Sequence, residues 1–530
     1  MYVKLDDGLT QPFTTTTGLK QGCIFSPLLF NLYVNNLPSV YDSECDPVYV
    51  GASPVHCLMW ADDCVVMSTT QAGLQRSMDK TASYLTSLGL SVNVKKTKVL
   101  IFNPAGFGPA KFPNLNFYIN NKIVEKCDSY TYLGFLFKPS GSVVAGVKEL
   151  VSKANRAYYS ISNILYENKK MPVDSALSLF DMTVSPVTLY AVKYWGILTL
   201  PASSFQSKES LLRAWEGFVP ETINQKLCRL ILSCHKKSSR LAMLGELGRY
   251  PLLMKSLAQM IKYKWSLMRR TNDGSLVSEA VLEMSGSNHD NWLSRITKAE
   301  KLLNISITNL YLSPEGVGKY VKQRIQSCFD LFWKAEVSQG KVDENGLNHN
   351  KLDFYSTLKG SFSREPYIDY ASSRNQRSWI SRLRSSSSRL GVELGRYKNI
   401  PRSSRICSYC STGEIDDERH FLMSCPIFDL KKACFFGKLS SISPKINSFS
   451  EDQKLKYILC PTSEIVTKLV NKFIRIMFNA RDNIDNGIDI SANCYPTYTP
   501  PFTSYEFEHF SDTDEGETSF CSESSNSEDQ

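Results

Sequence analysis

Residues 57–68 read Cys57-Leu58-Met59-Trp60-Ala61-Asp62-Asp63-Cys64-Val65-Val66-Met67-Ser68. Two short apolar runs flank an acidic pair, which predicts a β-hairpin with both carboxylates at its tip. Adjacent carboxylates repel each other, so this placement costs stability unless a divalent cation lies between them, and magnesium accepts such oxygen ligands. Asp62 and Asp63 are therefore candidate magnesium ligands. For an isolated Asp-Asp pair the alternative is a solvated turn without a metal.

A loop with two glycines and then a predicted helix precede this hairpin. Gly18 and Gly22 flank Gln21 in the loop, and glycines let a backbone approach a ligand closely. Ser26 is predicted to cap a helix that begins at Pro27 and is closed by Pro38. A glycine loop that only leads into a core helix is an equally good interpretation of this segment alone.

A lysine-containing loop follows the hairpin. A helix from about Leu74 is predicted to end at Gly89, and a strand is predicted near Val99. Lys96 lies in the loop between them. A lysine beside a nucleotide site would donate a proton to departing pyrophosphate, whereas the alternative is solvated charge without a catalytic role.

In their order and spacing these segments resemble successive motifs of the reverse transcriptases of non-LTR (LINE-like) retrotransposons. The resemblance implies a loop that lies against template and incoming nucleotide, catalytic carboxylates that bind magnesium, a catalytic lysine and a primer-grip hairpin. Weaker similarity to the thumb and downstream region continues towards Arg481. The matching residues are, in the same order, Gly18, Gln21, Gly22, Ser26 and Pro27; Ala61, Asp62 and Asp63; Asn93, Lys96 and Thr97; and Tyr132, Leu133 and Gly134.

The resemblance also implies that part of the family's active site is missing. Two-metal nucleotidyl transfer needs a carboxylate from a separate palm strand, and in the family that strand precedes the glycine loop. Only seventeen residues precede Gly18 here, and Asp6 and Asp7 fall in a predicted strand or turn. We therefore expect an N-terminally truncated RNA-directed DNA polymerase, without endonuclease, fingers or first aspartate motif. It should be inactive alone, with RNA and DNA as template-primer and another chain supplying the rest of the palm.

A cysteine-histidine cluster lies near the C-terminal end. Its spacing is Cys407-x2-Cys410-x9-His420-x4-Cys425. Three thiolates and one imidazole suit a tetrahedral structural zinc ion, which predicts a small zinc-knuckle-like motif. A similar motif occurs in the resembled elements, and an accidental cluster in a chain with 15 cysteines is the alternative.

The charge distribution suggests a second function. Net charge is +9, but twelve acidic residues follow the last basic one, Arg481, so residues 1–481 carry +21. Such an excess attracts a phosphate backbone. Residues 374–405 are especially basic, with Glu393 as the one acid among nine Lys or Arg. The alternative function is therefore a nucleic-acid-binding module made of this basic segment and the zinc knuckle, with the palm as scaffold.

The overall organisation is predicted to be α+β, a partial palm followed by mainly helical regions. Aromatic residues make up 11% and charged residues 21%, as in globular proteins. We find no signal peptide and no apolar run of about 18 residues, so an intracellular protein, nuclear or cytoplasmic and without a membrane partner, is expected. The predicted units are the palm (1–140), a helical thumb (141–270), a helical linker region (271–373), the basic segment with the knuckle (374–435), C-terminal helices (436–481) and a disordered acidic tail (482–530).

Overall fold

The computed structural model of the chain describes residues 4–487, apart from residues 7, 13, 15–17, 20–21, 271–272, 308–312, 339–351 and 372. The fold is helix-rich and mixed, and its small sheets lie in the first 137 residues. These are β1 (Lys4–Leu5), β2 (Gly8–Leu9), β3 (Val48–Val50), β4 (Ser53–Val55), β5 (Cys57–Trp60), β6 (Asp63–Val66), β7 (Lys98–Val99), β8 (Phe117–Ile119), β9 (Lys122–Lys126), β10 (Tyr130–Tyr132) and β11 (Phe135–Phe137).

The strands form local antiparallel hairpins and one three-stranded sheet. The hairpin partners are consecutive strands, namely β1–β2, β3–β4, β5–β6 and β10–β11, and the larger sheet has the order β7-β9-β8 with β7 parallel to β9. Apolar residues between turn residues predict strands at 48–49, 56–68, 115–124 and 130–137, and the structure has a strand in each of these segments. Alternation of apolar residues between turn residues is a local signal, so it is legible without knowledge of distant contacts.

Helix α1 (Ser26–Val34) starts and ends differently from the prediction. Phe25 occupies the cap position without a side-chain cap hydrogen bond, and Ser26 is already helical. Pro38 does not close α1, because it lies in a separate 3₁₀ turn at Leu37–Val40. The predicted Ser26 cap is therefore wrong, while Pro27 does lie in the first turn, where its missing N–H is tolerated.

Helix α2 (Gln71–Ser87) begins three residues before the predicted start near Leu74 and ends where the sequence predicted. The Thr70 side chain accepts a hydrogen bond from the N–H of Gly73 at the start. At the end, Gly89 adopts a φ of 70°, and the N–H of Leu90 donates to the Leu85 carbonyl at 2.8 Å. Glycine tolerates this left-handed conformation, so the helix stops at the predicted residue.

The rest of the described chain is helical. In chain order the helices are α3 (Val144–Glu167), α4 (Val173–Thr183), α5 (Ser185–Thr188), α6 (Val192–Trp195), α7 (Lys208–Arg213), α8 (Glu221–Leu232), α9 (Arg240–Leu247), α10 (Leu252–Met268), α11 (Leu276–Gly286), α12 (Trp292–Leu302), α13 (Pro314–Ser338), α14 (Asp353–Leu358), α15 (Pro366–Tyr370), α16 (Arg374–Arg384), α17 (Gly391–Tyr397), α18 (Asp429–Ile442), α19 (Glu451–Leu459) and α20 (Glu464–Asp485).

Two predictions for this region need correction. Within the helical linker region, the Gly, Ser, Asn and charged residues of 271–291 predict a surface loop or linker, yet this segment contains α11, which Ser275 caps by accepting a hydrogen bond from the N–H of Ser278. The acidic tail was expected to begin at Asp482, yet α20 continues to Asp485. Residues 488–530, which carry the rest of the predicted disordered tail, lie outside the described residues.

A single hydrophobic core holds the helical part together. Its buried side chains run from Val147 on α3 to Ala480 on α20. Two much smaller clusters support the strands, one centred on Phe117 and Val124 and the other on Leu37 and Tyr41. The predicted unit boundaries between residues 141 and 481 stay a prediction, and all four of those units contribute to this shared core.

The helices in the part of the chain that the structure describes differ in length and apolar character. No single helix there has the length and apolar character to cross a bilayer, although one bent pair, Val173–Thr188 with Val192–Thr199, meets both conditions.

Candidate functional site

The acidic pair lies at the tip of the β5–β6 hairpin, as the sequence predicted. Trp60 pairs with Asp63 across the strands, which leaves Ala61 and Asp62 as a two-residue loop. Ala61 has a φ of 52°, a conformation that non-glycine residues rarely adopt. Both aspartates are exposed. The hairpin thus presents two adjacent carboxylates to solvent on a tight, strained turn, where a hard cation can reach both.

The back of this hairpin packs on the segment that follows α1. Cys57 and Met59 contact a small cluster formed by Leu37, Tyr41 and Cys45. The ring of Tyr41 also stacks on His56 with the ring centroids 5.3 Å apart. Because these contacts attach the hairpin to residues just beyond α1, the predicted loop-helix segment and the acidic hairpin lie in one substructure.

A second hairpin, β10–β11, carries the residues that resemble a primer grip. Its turn consists of Leu133 and Gly134, with φ angles of 46° and 81°. Burial, then the charges of Cys64 and Asp63, raise the pKa of the neighbouring Tyr132. Because the charge of Asp63 acts on Tyr132, the strand before this turn lies near the acidic hairpin.

Tyr190, which follows α5, holds that turn in place. Its hydroxyl donates a hydrogen bond of 2.6 Å to the Leu133 carbonyl. A Cβ atom on Gly134 would lie 3.3 Å from Cε1 of the Tyr190 ring. Sequence reasoning missed this contact, because the two partners are 57 positions apart and a tyrosine in a helical region gives no local signal of its partner.

The structure describes some of the other predicted site residues but not all of them. Gly18 and Gly22 have φ angles of 88° and 81°, the left-handed region that suits glycine, while Gln21 lies outside the described residues. Lys96 lies on an exposed turn, and its N–H is 3.2 Å from Oδ1 of Asn93. Among the described residues no ion pair joins Lys96 to Asp62 or Asp63.

The four predicted knuckle residues come together in space. One ligand atom from each of Cys407, Cys410, His420 and Cys425 lies within 4.8 Å of the others. A short β-bridge between Ile406 and Ile415 brings the first two into position. In the part of the chain that the structure describes, this is the one group of three or more Cys, His, Asp or Glu with such spacing.

The histidine of this cluster is oriented by an acidic neighbour. Nδ1 of His420 lies 2.6 Å from a carboxylate oxygen of Glu414, and Nε2 lies 3.3 Å from Sγ of Cys410. A proton on Nδ1 that is donated to Glu414 leaves the Nε2 lone pair facing the three sulfurs. Such outer partners commonly fix the orientation of metal-binding histidines. Sequence reasoning did not identify Glu414.

An ion pair fixes the knuckle to the last helix. Asp416 accepts hydrogen bonds of 3.0 and 2.5 Å from Nη1 and Nη2 of Arg481, and both side chains are buried. The same carboxylate also accepts from the N–H of Gly391 at 2.6 Å. Arg481 further lies against the rings of Tyr409 and Phe421. The knuckle is therefore part of the helical body and not a separate appendage.

Most arginines of the basic segment are used inside the fold. Arg384 is fully buried and pairs with Glu246 at 2.8 Å and Glu365 at 3.0 Å. Arg405 donates to the Ile400 and Val392 carbonyls. Four more cations have a partner each: Arg382 donates to Ser233, and Arg389, Arg396 and Arg402 form ion pairs with Asp482, Glu393 and Asp417. The alternative function, a nucleic-acid-binding module of this segment and the zinc knuckle, stays a prediction, and these arginines already have partners within the fold.

An exposed carboxylate pair, a second hairpin and a helical region after both are the arrangement that the sequence predicted for a partial palm. Residues 1–137 match the family model described as "Reverse transcriptase (RNA-dependent DNA polymerase)". Residues 1–137 are thus similar to a reverse transcriptase domain, and the curated relatives named below are proteins of transposable elements.

Two curated relatives come from Drosophila melanogaster. The retrovirus-related Pol polyprotein from type-2 retrotransposable element R2DM is 30% identical over 151 residues, which is 26% of this chain and 13% of that protein. The probable RNA-directed DNA polymerase from transposon BS is 22% identical over 203 residues, or 37% and 21% of the two chains.

A third relative, from Nasonia vitripennis, is the Pol polyprotein from type-1 retrotransposable element R2. It is 28% identical over 135 residues, which is 24% of this chain and 13% of the relative. The matched part therefore spans between an eighth and about a fifth of each of these three relatives.

Proposed function

We propose that the chain provides part of the palm of an RNA-directed DNA polymerase, with Asp62 and Asp63 as catalytic magnesium ligands. The observation that carries this proposal is the exposed carboxylate pair at the β5–β6 tip beside the turn that Tyr190 holds. An RNA and DNA template-primer is the substrate that follows from the relatives named above.

Each part of the site has a defined task in this reaction. The oxygens of Asp62 and Asp63 would hold magnesium, which stabilises negative charge on the transferring phosphate when bound. Tyr132, Leu133 and Gly134 position the primer end, because their turn lies near Asp63. Lys96 donates a proton towards the leaving pyrophosphate. Gly18 and Gly22 let the chain approach the template and the incoming nucleotide.

Two carboxylates are not a complete two-metal site. Among the described residues, neither Asp62 nor Asp63 belongs to a group of three or more potential metal ligands. Two-metal transfer uses ligands that bridge both ions. We therefore expect that primers are extended only when another polypeptide segment contributes a further carboxylate, and that the present chain holds magnesium weakly.

Manganese-induced relaxation of water protons, measured with a primer-template present, tests this role. The unmodified chain is expected to bind the ion, and Asp62→Asn with Asp63→Asn should abolish most of that binding. Asp79→Asn is the matched control, because Asp79 is an exposed carboxylate on α2 that accepts a hydrogen bond from Gln75. Unchanged ion binding in the double variant would contradict the proposal, and robust primer extension by the chain alone would contradict the incomplete site.

A structural zinc ion completes the proposed cofactors. Cys407, Cys410, His420 and Cys425 supply the donor set that zinc prefers, and the contact between His420 and Glu414 orients the imidazole for it. Zinc here would stabilise the fold and take no part in nucleotidyl transfer. An intracellular, reducing location, nuclear or cytoplasmic, follows from thiols that serve as ligands.

A further inference from the structure

Two arginines of α16 differ from the other cations of the basic segment. Arg374 and Arg377 form no ion pair and no side-chain hydrogen bond with any residue that the structure describes. Nη1 of Arg374 and Nε of Arg377 are buried without a hydrogen-bond partner. Only 6% of Arg377 is exposed. The carboxylate of nearby Asp369 accepts a hydrogen bond from Arg364 at 3.2 Å.

The two guanidinium groups lie on one face at the start of α16. Residues three apart on a helix are neighbours, and helical side chains lean towards the N-terminus, so Arg377 extends back over the first turn. The loop after α3 lies against that turn, because the N–H of Arg374 donates to the Lys169 carbonyl at 2.9 Å. Lys169 and Lys170 are both exposed there.

The positive charges of the two arginines are only partly compensated by their surroundings. The Arg374 guanidinium lies 4.4 Å from the centre of the Tyr166 ring, which orients it. Burial lowers the pKa of Arg377 to about 10; the charge of Arg374 adds to this decrease, whereas Tyr367 and Asp369 oppose it. A buried cation without a bonded anionic partner destabilises the fold, and an oxyanion that bonds both guanidinium groups would offset that cost.

We propose that Arg374, Arg377, Lys169 and Lys170 form a binding site for a backbone phosphate of the nucleic acid on which the polymerase acts. The positive end of the α16 dipole faces the same region and adds to the attraction. This inference rests on the proposed function, because that function supplies the polyanion. Planar guanidinium forks match phosphate oxygens better than any other side chain on this surface.

The position of the site suits a duplex that leaves the palm. Gly146, near the start of α3, packs against Phe135 of β11, whereas Tyr166 lies near the end of the same helix. Twenty residues of helix span about 30 Å, which is close to nine base pairs of duplex. A duplex that runs along α3 from the grip turn would place a backbone phosphate at the two arginines after about one turn of the duplex.

The test compares the unmodified chain with the double variant Arg374→Gln, Arg377→Gln. One measurement is the melting temperature in sodium phosphate against sodium chloride of equal ionic strength. The other is the affinity for a fluorescent 20-base-pair RNA–DNA hybrid across a salt series. Arg389→Gln is the matched control, since Arg389 is exposed and already pairs with Asp482 at 3.1 Å.

The double variant is expected to melt no lower than the unmodified chain in chloride, because it loses an unpaired buried charge. It should also lose the stabilisation by phosphate. Its affinity for the hybrid should fall about tenfold, and the slope of log affinity against log salt should shrink by about one to two. The control should change neither quantity appreciably.

Three results would overturn the assignment. A melting temperature that falls in chloride would show that the arginines serve the fold. Loss of phosphate stabilisation with unchanged affinity for the hybrid would indicate a site for free anions only. An equal loss with Arg389→Gln would mean that general charge is responsible. The Asp62→Asn, Asp63→Asn variant should bind the hybrid normally at this site, so failure of the catalytic proposal and failure of this one are distinguishable.

Discussion

At the residue scale, sequence reasoning found the side chains whose geometry is set by their immediate neighbours. Asp62 and Asp63 could be placed at a hairpin tip, because the pairing of Trp60 with Asp63 involves residues only three apart. Tyr190 could not be found in this way, since its partner Leu133 lies far away in the sequence. A hydrogen bond between distant segments depends on how helices pack, and no short pattern encodes that.

The contact between Tyr190 and the grip turn can be isolated by substituting glycine. Gly134→Ala is expected to destabilise the turn, because a left-handed alanine costs about 1–2 kcal/mol and its Cβ would crowd the Tyr190 ring. Gly141→Ala is the matched control: its φ is 69°, but nothing lies within 4 Å of the added Cβ. Hydrogen exchange of residues 130–137 should quicken more with Gly134→Ala, and equal effects would contradict a specific role for Tyr190.

At the scale of elements, local capping and periodicity predicted several boundaries and missed others. The end of α2 at Gly89 was predicted because glycine is the residue that a left-handed helix end requires. Helix α11 was missed because its flanks are rich in Gly, Ser and Asn, which indicated a loop, although Ser275 in fact caps a helix there. The zinc-ligand spacing was legible, whereas the pairing of Asp416 with Arg481 was not.

This pairing predicts that metal loss spreads from the knuckle to the last helix. Cys425→Ser, or removal of zinc with a chelator, should release the segment that holds Asp416 and thereby leave Arg481 with a buried, unpaired charge. Faster hydrogen exchange along α20 and loss of one bound zinc per chain are the expected results. Cys434→Ser is the control, because Cys434 is an exposed thiol outside the cluster.

Protection of α20 that is unaffected by Cys425→Ser would show that the ion pair with Arg481 holds without metal. Retention of a full equivalent of zinc would show that Cys425 is not a ligand. Each outcome concerns a different step, so the two parts of the prediction can fail separately.

At the scale of the whole molecule, sequence predicted a partial palm followed by mainly helical regions, but it did not predict which arginines of the basic segment are buried. Charge clustering suggested a surface, and yet Arg384 and Arg405 are buried by partners up to 138 residues away. Charge counts report composition, and burial depends on tertiary packing, so the two need not agree. Similarly, the spread of one core from Val147 to Ala480 was not apparent from local patterns.

In the N-terminal region apolar side chains are exposed, whereas in the basic segment some charged side chains are buried. On α1 the exposed fractions of Leu28, Leu29 and Leu32 are 56%, 52% and 65%, and Ile24 and Phe25 beside them are also exposed. An apolar patch of this kind promotes association in water. The chain by itself should therefore self-associate as its concentration rises.

The double variant Leu28→Gln, Leu32→Gln should reduce that self-association, because it removes apolar surface without touching a buried side chain. Static light scattering over a concentration series measures the change. Leu430→Gln with Ile465→Gln is the matched control, since these two residues are exposed to a similar degree, 67% and 64%, but lie on different helices. If both double variants reduce association equally, general hydrophobicity is responsible, and α1 is not the surface through which the molecules meet.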